Sequence, residues 1–388
     1  MSLLTLPPLS LYVHVPWCVR KCPYCDFNSH ERKDLPVKEY LAALLEDLQF
    51  DLHLAQGRPL QSIFFGGGTP SLMPGVFYQQ LLAALRQQIE FAPDIEITLE
   101  ANPGTVEQGR FEEYRAAGIN RLSIGVQSFN AEHLKKLGRI HSNDEATRAA
   151  QAARNAGFDN FNLDLMHALP EQSTAQALDD LSQAIALAPT HISWYELTIE
   201  PNTSFFNQPP VQPDLDDMAE TEEAGFALLA KHGYQRYEIS AFAQPGRPAR
   251  HNLNYWHFGD YLALGAGAHG KITLPDNDDI LRYQKTRQPE AYLNGQGEGK
   301  GSRSRQSHMV TPPERPIEYF LNTLRLIQGS DKESFTLRTG LPLERILPIL
   351  EQLKSEHLLS LDGPKIRCSD LGIRHLNTVL ERLETITK

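Results

Sequence analysis

The chain reads as an α/β fold, a run of βα units building a parallel sheet, followed by a small, mainly helical C-terminal module. Three observations predict this. Short β-branched or apolar runs alternate with longer polar-apolar stretches through the first two hundred residues, the pattern of βα units. Apolar residues in the longer stretches recur at spacings of three and four, the helical period. A Gly-, Ser-, Arg- and Pro-rich break at 294–316 then separates this part from a helix-rich tail.

Taken in order, the expected strands are 11–15 (LYVHV), 62–67 (SIFFGG), 95–100 (IEITLE), 121–126 (RLSIGV), 161–166 (FNLDLM) and 191–198 (HISWYELT). Helices are expected at 37–55, 177–188 and 214–232. Six βα units fall short of the eight of a closed (β/α) barrel, so an open partial barrel and a doubly wound sheet both fit. The first region runs from 1 to 230, and 231–293 extends it with a mixed pattern that includes HNLNYW. Residues 294–316 read as a linker or mobile loop. In 317–388, helices at 317–327, 343–356 and 371–386 flank a hairpin about Asp362-Gly363. That arrangement is winged-helix-like, and with no excess of basic residues over 343–388 it favours packing or protein interaction over DNA.

With 41% hydrophobic and 22% charged residues over 388 positions, the composition is that of a globular protein with a sizeable core. The net charge is −11 and there is no extended basic run, so nucleic acid is not expected as a partner. The loop 299–307 (GKGSRSRQS) is locally basic and could meet an anion, although such runs are usually solvated faces. The N-terminal stretch lacks the basic and apolar segments of a signal peptide. No run approaches the ~18 apolar residues that cross a bilayer. A cytoplasmic location is expected, where four cysteines argue for metal binding or catalysis rather than disulfides.

Three of those four, Cys18, Cys22 and Cys25, fall in VPWCVRKCPYCDF with the spacing C-x3-C-x2-C. A zinc site would need a further ligand, and His14 or His30 could supply one. Buried core cysteines are a weaker reading, because Arg20, Lys21 and Pro23 give the segment a loop composition. Three thiolates suit a [4Fe–4S] cluster with one iron left open. FFGGGTPSL (64–72) follows the second strand, where glycines permit close main-chain approach to a ligand. Glu100, Gln127 and Asp164 stand at strand ends or within a strand, and Arg139 just before a helix. A charge buried on a parallel strand is costly unless paired or used, and the four together favour a site.

A C-x3-C-x2-C loop after the first strand resembles the radical S-adenosylmethionine (SAM) superfamily. The resemblance implies a partial (βα)6 TIM-like barrel with a winged-helix-like C-terminal domain, and a [4Fe–4S] cluster on Cys18, Cys22 and Cys25. In that family SAM chelates the open iron and is cleaved reductively to a 5′-deoxyadenosyl radical. The resemblance further implies SAM contacts at Tyr12, Tyr24, Gly68, Thr69, Glu100, Gln127, Arg139 and Asp164. It assigns no catalytic residue.

Within the superfamily, LYVHVPWCVRKCPYCDFNSH, GGGTPSL, EANPGT, SIGVQSF, LGRIH, LDLMHALPEQ and HNLNYW resemble the oxygen-independent coproporphyrinogen oxidase group, from about residue 10 to 270. One branch decarboxylates two propionates of coproporphyrinogen III. The other binds haem and is thought to deliver it to respiratory haem proteins. The oxidase branch carries a fourth cysteine where this chain has Phe27, and a longer segment ahead of the first strand. Phe27 is expected to pack beneath the cluster loop. Both departures, with HNLNYW at 251–256, place the chain with the haem chaperones. The expected activity is therefore haem handling without coproporphyrinogen oxidation, the alternative being a coproporphyrinogen III dehydrogenase. The resemblance implies His251, Tyr255 and Trp256 as haem contacts, with His257 and His269 as other possible iron ligands. Expected partners are haem and haem-accepting respiratory proteins, including membrane-associated ones, and a homodimer is compatible with the group.

Overall fold

The computed structural model describes residues 3–105, 108–139, 142–298 and 302–385. In chain order its strands are β1 (Leu9–Val15), β2 (Trp17–Cys18), β3 (His30–Glu31), β4 (Leu60–Gly67), β5 (Phe91–Ala101), β6 (Arg121–Gln127), β7 (Phe161–His167) and β8 (His191–Glu196). There follow β9 (Gln235–Glu238), β10 (Ala241–Ala243), β11 (Asp260–Leu264), β12 (His269–Leu274), β13 (Asp279–Lys285) and β14 (Ser304–Met309). The C-terminal module adds β15 (Ser330–Asp331), β16 (Leu359–Ser360) and β17 (Lys365–Cys368).

All six expected strands are present, and β1, β4, β5, β6, β7 and β8 pair in parallel in that order. Each is followed by a helix: Val37–Asp51, Gly75–Gln88, Gln108–Ala117, Asn143–Asn155, Thr174–Ala186 and Leu215–Lys231. Two of these helices start where the sequence marks them. Ser142 with Glu145, and Ser173 with Gln176, form capping boxes that satisfy the first free amides. The first helix buries Tyr40, Ala43, Leu44, Asp47, Leu48 and Asp51, one face at helical spacing.

The sheet is larger than the sequence predicts. It has twelve strands in the order β14-β13-β12-β11-β1-β4-β5-β6-β7-β8-β10-β9. The chain returns to place β11 in parallel beside β1, with Leu9 opposite Asp260, and β12, β13 and β14 extend this edge in antiparallel fashion. The expected linker 294–316 therefore contains a strand, β14. Its sequence, SRQSHM, is polar and almost wholly exposed, as suits an edge strand, and so carries no apolar signal. Residues 299–301 of the basic loop lie outside the described residues. Arg303 in that loop is buried, bonded to Glu46 (2.8 Å) and to the Tyr292 carbonyl (3.0 Å).

The C-terminal module forms the expected hairpin, with Leu359 opposite Cys368. Its core joins Phe320, Phe335, Leu350, Ile366 and Val379 to Phe258 and Ile280 of the sheet extension. Cys368 is buried in that core, apart from the other cysteines. No helix among the described residues is long and apolar enough to cross a membrane.

Two buried ionic clusters hold the returning strands. The Asp260 carboxylate accepts from Arg58 (2.7 Å), Lys271 (3.0 Å), Thr273 N–H and Thr273 Oγ1 (2.8 Å each). Burial pushes its carboxyl up, and the Lys271 and Arg58 charges more than offset this and hold it below the ordinary range. On β13, Lys285 donates to Asp47 and Asp51 of the first helix, both at 2.6 Å. Replacing Asp260 by Ala strands a buried Lys271 and is expected to cost roughly 3–5 kcal/mol of stability. Urea unfolding of the variant checks this; an unchanged midpoint would remove Asp260 from that role.

Candidate functional site

The period of two along a strand decides what faces the barrel interior. On β6, Leu122, Ile124 and Val126 pack into the hydrophobic core while Ser123, Gly125 and Gln127 face inward. Asp164 and Met166 of β7, and Ser193 and Tyr195 of β8, continue the inner surface. The result is a cavity of about 640 Å³ at the C-terminal ends of the parallel strands, the face where barrel enzymes place their ligands.

Cys18, Cys22 and Cys25 line one wall of this cavity. The loop carrying them is pinned at both ends. Short parallel pairing of β2 with β3 closes its base, and the Val15 and Trp17 carbonyls accept from Gly68 N–H (2.7 Å) and Thr69 N–H (2.8 Å). Glycine is required at this approach. A Cβ on Gly68 would lie 2.6 Å from the Trp17 carbonyl oxygen, and one on Gly67, at φ +114°, would lie 2.7 Å from the His14 ring. Thr69 Oγ1 stands 3.4 Å from Cys18 Sγ, and Ser29 Oγ 3.9 Å from Cys25 Sγ. Burial pushes the Cys18 and Cys25 thiols up, so ligation to iron must release their protons.

Glu100, Gln127, Arg139 and Asp164 converge on the same cavity, with Tyr24, Gly68 and Thr69. Arg139 donates to the Gly125 carbonyl (2.7 Å) and reaches Cys22 Sγ at 3.7 Å, while its Nε is buried without a partner. Gln127 sits at φ +68°, an unfavourable region for a side chain with a Cβ, and accepts a 2.8 Å hydrogen bond from the Tyr195 hydroxyl. Asp164 accepts from Ser123 (2.9 Å) and Asn162 (2.7 Å), and Asn162 is in turn bonded to His191 (2.6 Å). Burial raises the Asp164 carboxyl against these bonds. Burial and the nearby Asp164 push Glu100 up to about 8, opposed by Gly67 N–H at 3.2 Å. Ile140 and His141 of the LGRIH motif lie outside the described residues.

A second cavity of about 620 Å³ abuts the first and shares Asp26, Phe27, Gly67, Glu100 and Trp256 with it. Three expectations change here. Tyr12 does not line the first cavity but the second, its hydroxyl bonded to His14 at 2.8 Å. Phe27 does not pack beneath the cysteine loop; it is 57% exposed and lines both cavities. His251 lines neither cavity. It is buried at the start of the helix Arg250–Trp256, stacks on Phe64 (4.2 Å) and bonds Glu96 through Nδ1 (3.1 Å). Tyr255 and Trp256, one helical turn further, do reach the second cavity. His257 reaches neither, and His269 reaches the second.

The residues fit the groups that the cysteine motif implies. Three cysteines and Arg139 line one space, and the guanidinium has a buried Nε without a partner, a donor set that fits an iron–sulfur cluster with a carboxylate ligand beside it. The zinc alternative lacks its extra ligand, because both His14 ring nitrogens are engaged, with Tyr12 and the Asn28 carbonyl, and His30 does not line the cysteine cavity, its Nε2 lying beside Asn28 Oδ1 (3.4 Å). Among the described residues, no three His, Cys, Asp or Glu side chains converge on a single-ion position. Residues that the sequence reading missed are Ser123, Asn162, Ser193 and Tyr195. Polar or small residues alternating with apolar ones on β6, β7 and β8 were the available signal.

Comparison with known proteins gives the family and the fold. The profile of the Radical SAM superfamily matches residues 12–184, and that of the HemN C-terminal domain matches 310–375. The chain is 50% identical over 377 residues to the "Heme chaperone HemW" of Escherichia coli strain K12, covering 97% of this chain and 98% of that one. It is 34% identical over 359 residues to the "Heme chaperone HemW" of Bacillus subtilis strain 168, covering 90% and 92%. Among solved structures, coproporphyrinogen III oxidase (HemN) from Escherichia coli, described as a radical SAM enzyme, superposes with a TM-score of 0.81. That match covers 98% of this chain and 91% of the other at 24% identity, a likeness of fold.

The raised Glu100 carboxyl yields a test. A carboxyl raised in the fold contributes its full stability below its unfolded value and loses it as pH rises through about 8. Glu100→Gln is therefore expected to stabilise the ligand-free protein at pH 8–9, by on the order of 1–2 kcal/mol, and to change little near pH 4. Melting curves across that range check it; equal shifts at both ends would contradict the assignment.

Proposed function

The chain belongs to the HemW family of the radical SAM superfamily, and on that premise we propose that it is a haem chaperone. It binds a [4Fe–4S] cluster, SAM and haem, and passes haem to respiratory haem proteins. The observation that carries this reading is the pair of abutting cavities, one walled by Cys18, Cys22 and Cys25, the other by aromatic side chains. When bound, the cluster supplies one-electron chemistry and an open iron for the SAM amine and carboxylate.

The chain's own residues then have separable roles. Cys18, Cys22 and Cys25 hold the cluster, while Thr69 and Ser29 direct hydroxyls toward two of the sulfurs. Arg139, fixed by the Gly125 carbonyl, turns its guanidinium side chain to the cavity that would take the SAM carboxylate. The backbone at Gly68 and Thr69 admits the methionine end. Gln127, Asp164 and Glu100 provide polar contacts further in, and Tyr24 closes the side near Phe205 (6.4 Å). Tyr255 and Trp256 present flat apolar faces to a porphyrin. Phe27 stands where the oxidase branch has a further cysteine and exposes an aromatic ring to both cavities. Respiratory acceptors, including membrane-associated ones, and a homodimeric state belong to this proposal.

Two measurements test it. Anaerobic reconstitution should give the broad visible charge-transfer absorption of thiolate-ligated iron, and the triple variant Cys18→Ala, Cys22→Ala, Cys25→Ala should lose it; persistence of the band would place the cluster elsewhere. Reconstituted protein given coproporphyrinogen III, SAM and a reductant should form no protoporphyrinogen above background. Sustained turnover in that assay would replace the chaperone reading with the oxidative decarboxylase.

A further inference from the structure

The second cavity is bounded by the cysteine loop on one side and by the edge of the sheet extension on the other. Its aromatic lining comes from Phe27, Tyr255, Trp256 and Tyr261, and its opposite side from His269, Gln284 and Arg287. His269 opens β12 and lies opposite Gln284 of β13, so the two present one edge of the cavity. At about 620 Å³ it falls within the range of cofactor pockets, roughly 300–1,000 Å³.

We propose that this cavity would seat the haem, with the His269 imidazole placed to ligate the iron and the Arg287 guanidinium to meet a propionate. The inference rests on the haem reading above and moves the iron ligand from His251 to His269. Haem iron takes a histidine well, and a ligand must offer a free ring nitrogen to the cavity. Two histidines line it. The His14 ring is engaged at both nitrogens, by Tyr12 (2.8 Å) and the Asn28 carbonyl (2.9 Å). His269 is exposed, and neither of its ring nitrogens has a hydrogen-bond partner among the described residues. His251 faces Glu96 and Phe64 instead.

The tyrosines are poorer ligands. Tyr12 is bonded to His14, and Tyr261 accepts from Arg282 at 2.8 Å. Burial, then Tyr261 and Glu100, push the Tyr255 phenol far up, away from the phenolate that iron would require. Burial, then the Arg287 and Arg282 charges, hold His269 below its ordinary value. Arg287 is exposed and forms no ion pair among the described residues, so its charge is available to a carboxylate.

Local backbone geometry keeps His269 in place. Asn28 of the cysteine loop donates to the Ala266 carbonyl (2.9 Å) and the Arg287 carbonyl (2.8 Å). Gly267, at φ +83°, allows this approach, since a Cβ there would lie 2.3 Å from the Asn28 amide.

The test is a ferric haem titration of the full-length wild type and of His269→Ala, His251→Ala and Arg287→Ala, followed by absorption and resonance Raman spectra. Circular-dichroism melts confirm that each variant is folded. His269→Ala is expected to lose the iron–histidine signature and at least about tenfold in affinity, with added imidazole restoring the spectrum. Folded His251→Ala keeps the wild-type signature, and Arg287→Ala weakens binding without altering it. A His269→Ala protein with wild-type signature and affinity overturns the assignment while leaving the haem reading intact. A wild type that takes up no haem overturns that reading, and this site with it.

Discussion

A single buried carboxylate governs how this chain closes. After β8 the polypeptide adds β10 and β9 antiparallel at that edge of the sheet, and on reaching Asp260 it returns to the other side, in parallel beside its own first strand. Asp260 is fully buried yet collects two cationic and two Thr273 donors. Such a group is tolerable only with every lone pair used. With β11 fixed, β12 and β13 follow in antiparallel pairing, and the Lys285 cluster ties β13 to the first helix. The second cavity exists because of this return. Without it the cysteine loop would face solvent on that side.

The barrel interior shows the opposite balance. There, polar groups are buried and incompletely satisfied: Glu100 has a carboxyl raised by burial, Arg139 an unpartnered Nε, and Gln127 a strained backbone. Each lowers the stability of the ligand-free fold. Their concentration on one surface, above the Asn162–His191–Ser123 network, marks ground prepared for a ligand rather than for packing.

The parallel strands were legible in the sequence because they are buried on both faces and read as apolar runs. The cysteine spacing was legible because it is local and chemically narrow. The later strands were not. β9 and β10 are short, and β14 is an exposed polar edge, so none carries a distinctive apolar run. Histidine roles were harder still. HNLNYW reads as one motif, yet its helix turns His251 toward Glu96 and Tyr255 toward a cavity. Which face of a seven-residue helix meets the barrel depends on partners more than a hundred residues away. The place of Phe27 is hidden for a related reason: its environment comes from β11, β12 and the HNLNYW helix, remote in sequence.

Asn28 follows directly after Phe27, and its amide clasps the turn that leads into β12. The cysteine segment and the aromatic chamber therefore share a common partition, three residues from Cys25. The same short segment that spaces the thiols thus also fixes the lip of the neighbouring chamber, so a substitution at Asn28 would disturb a wall that both compartments share.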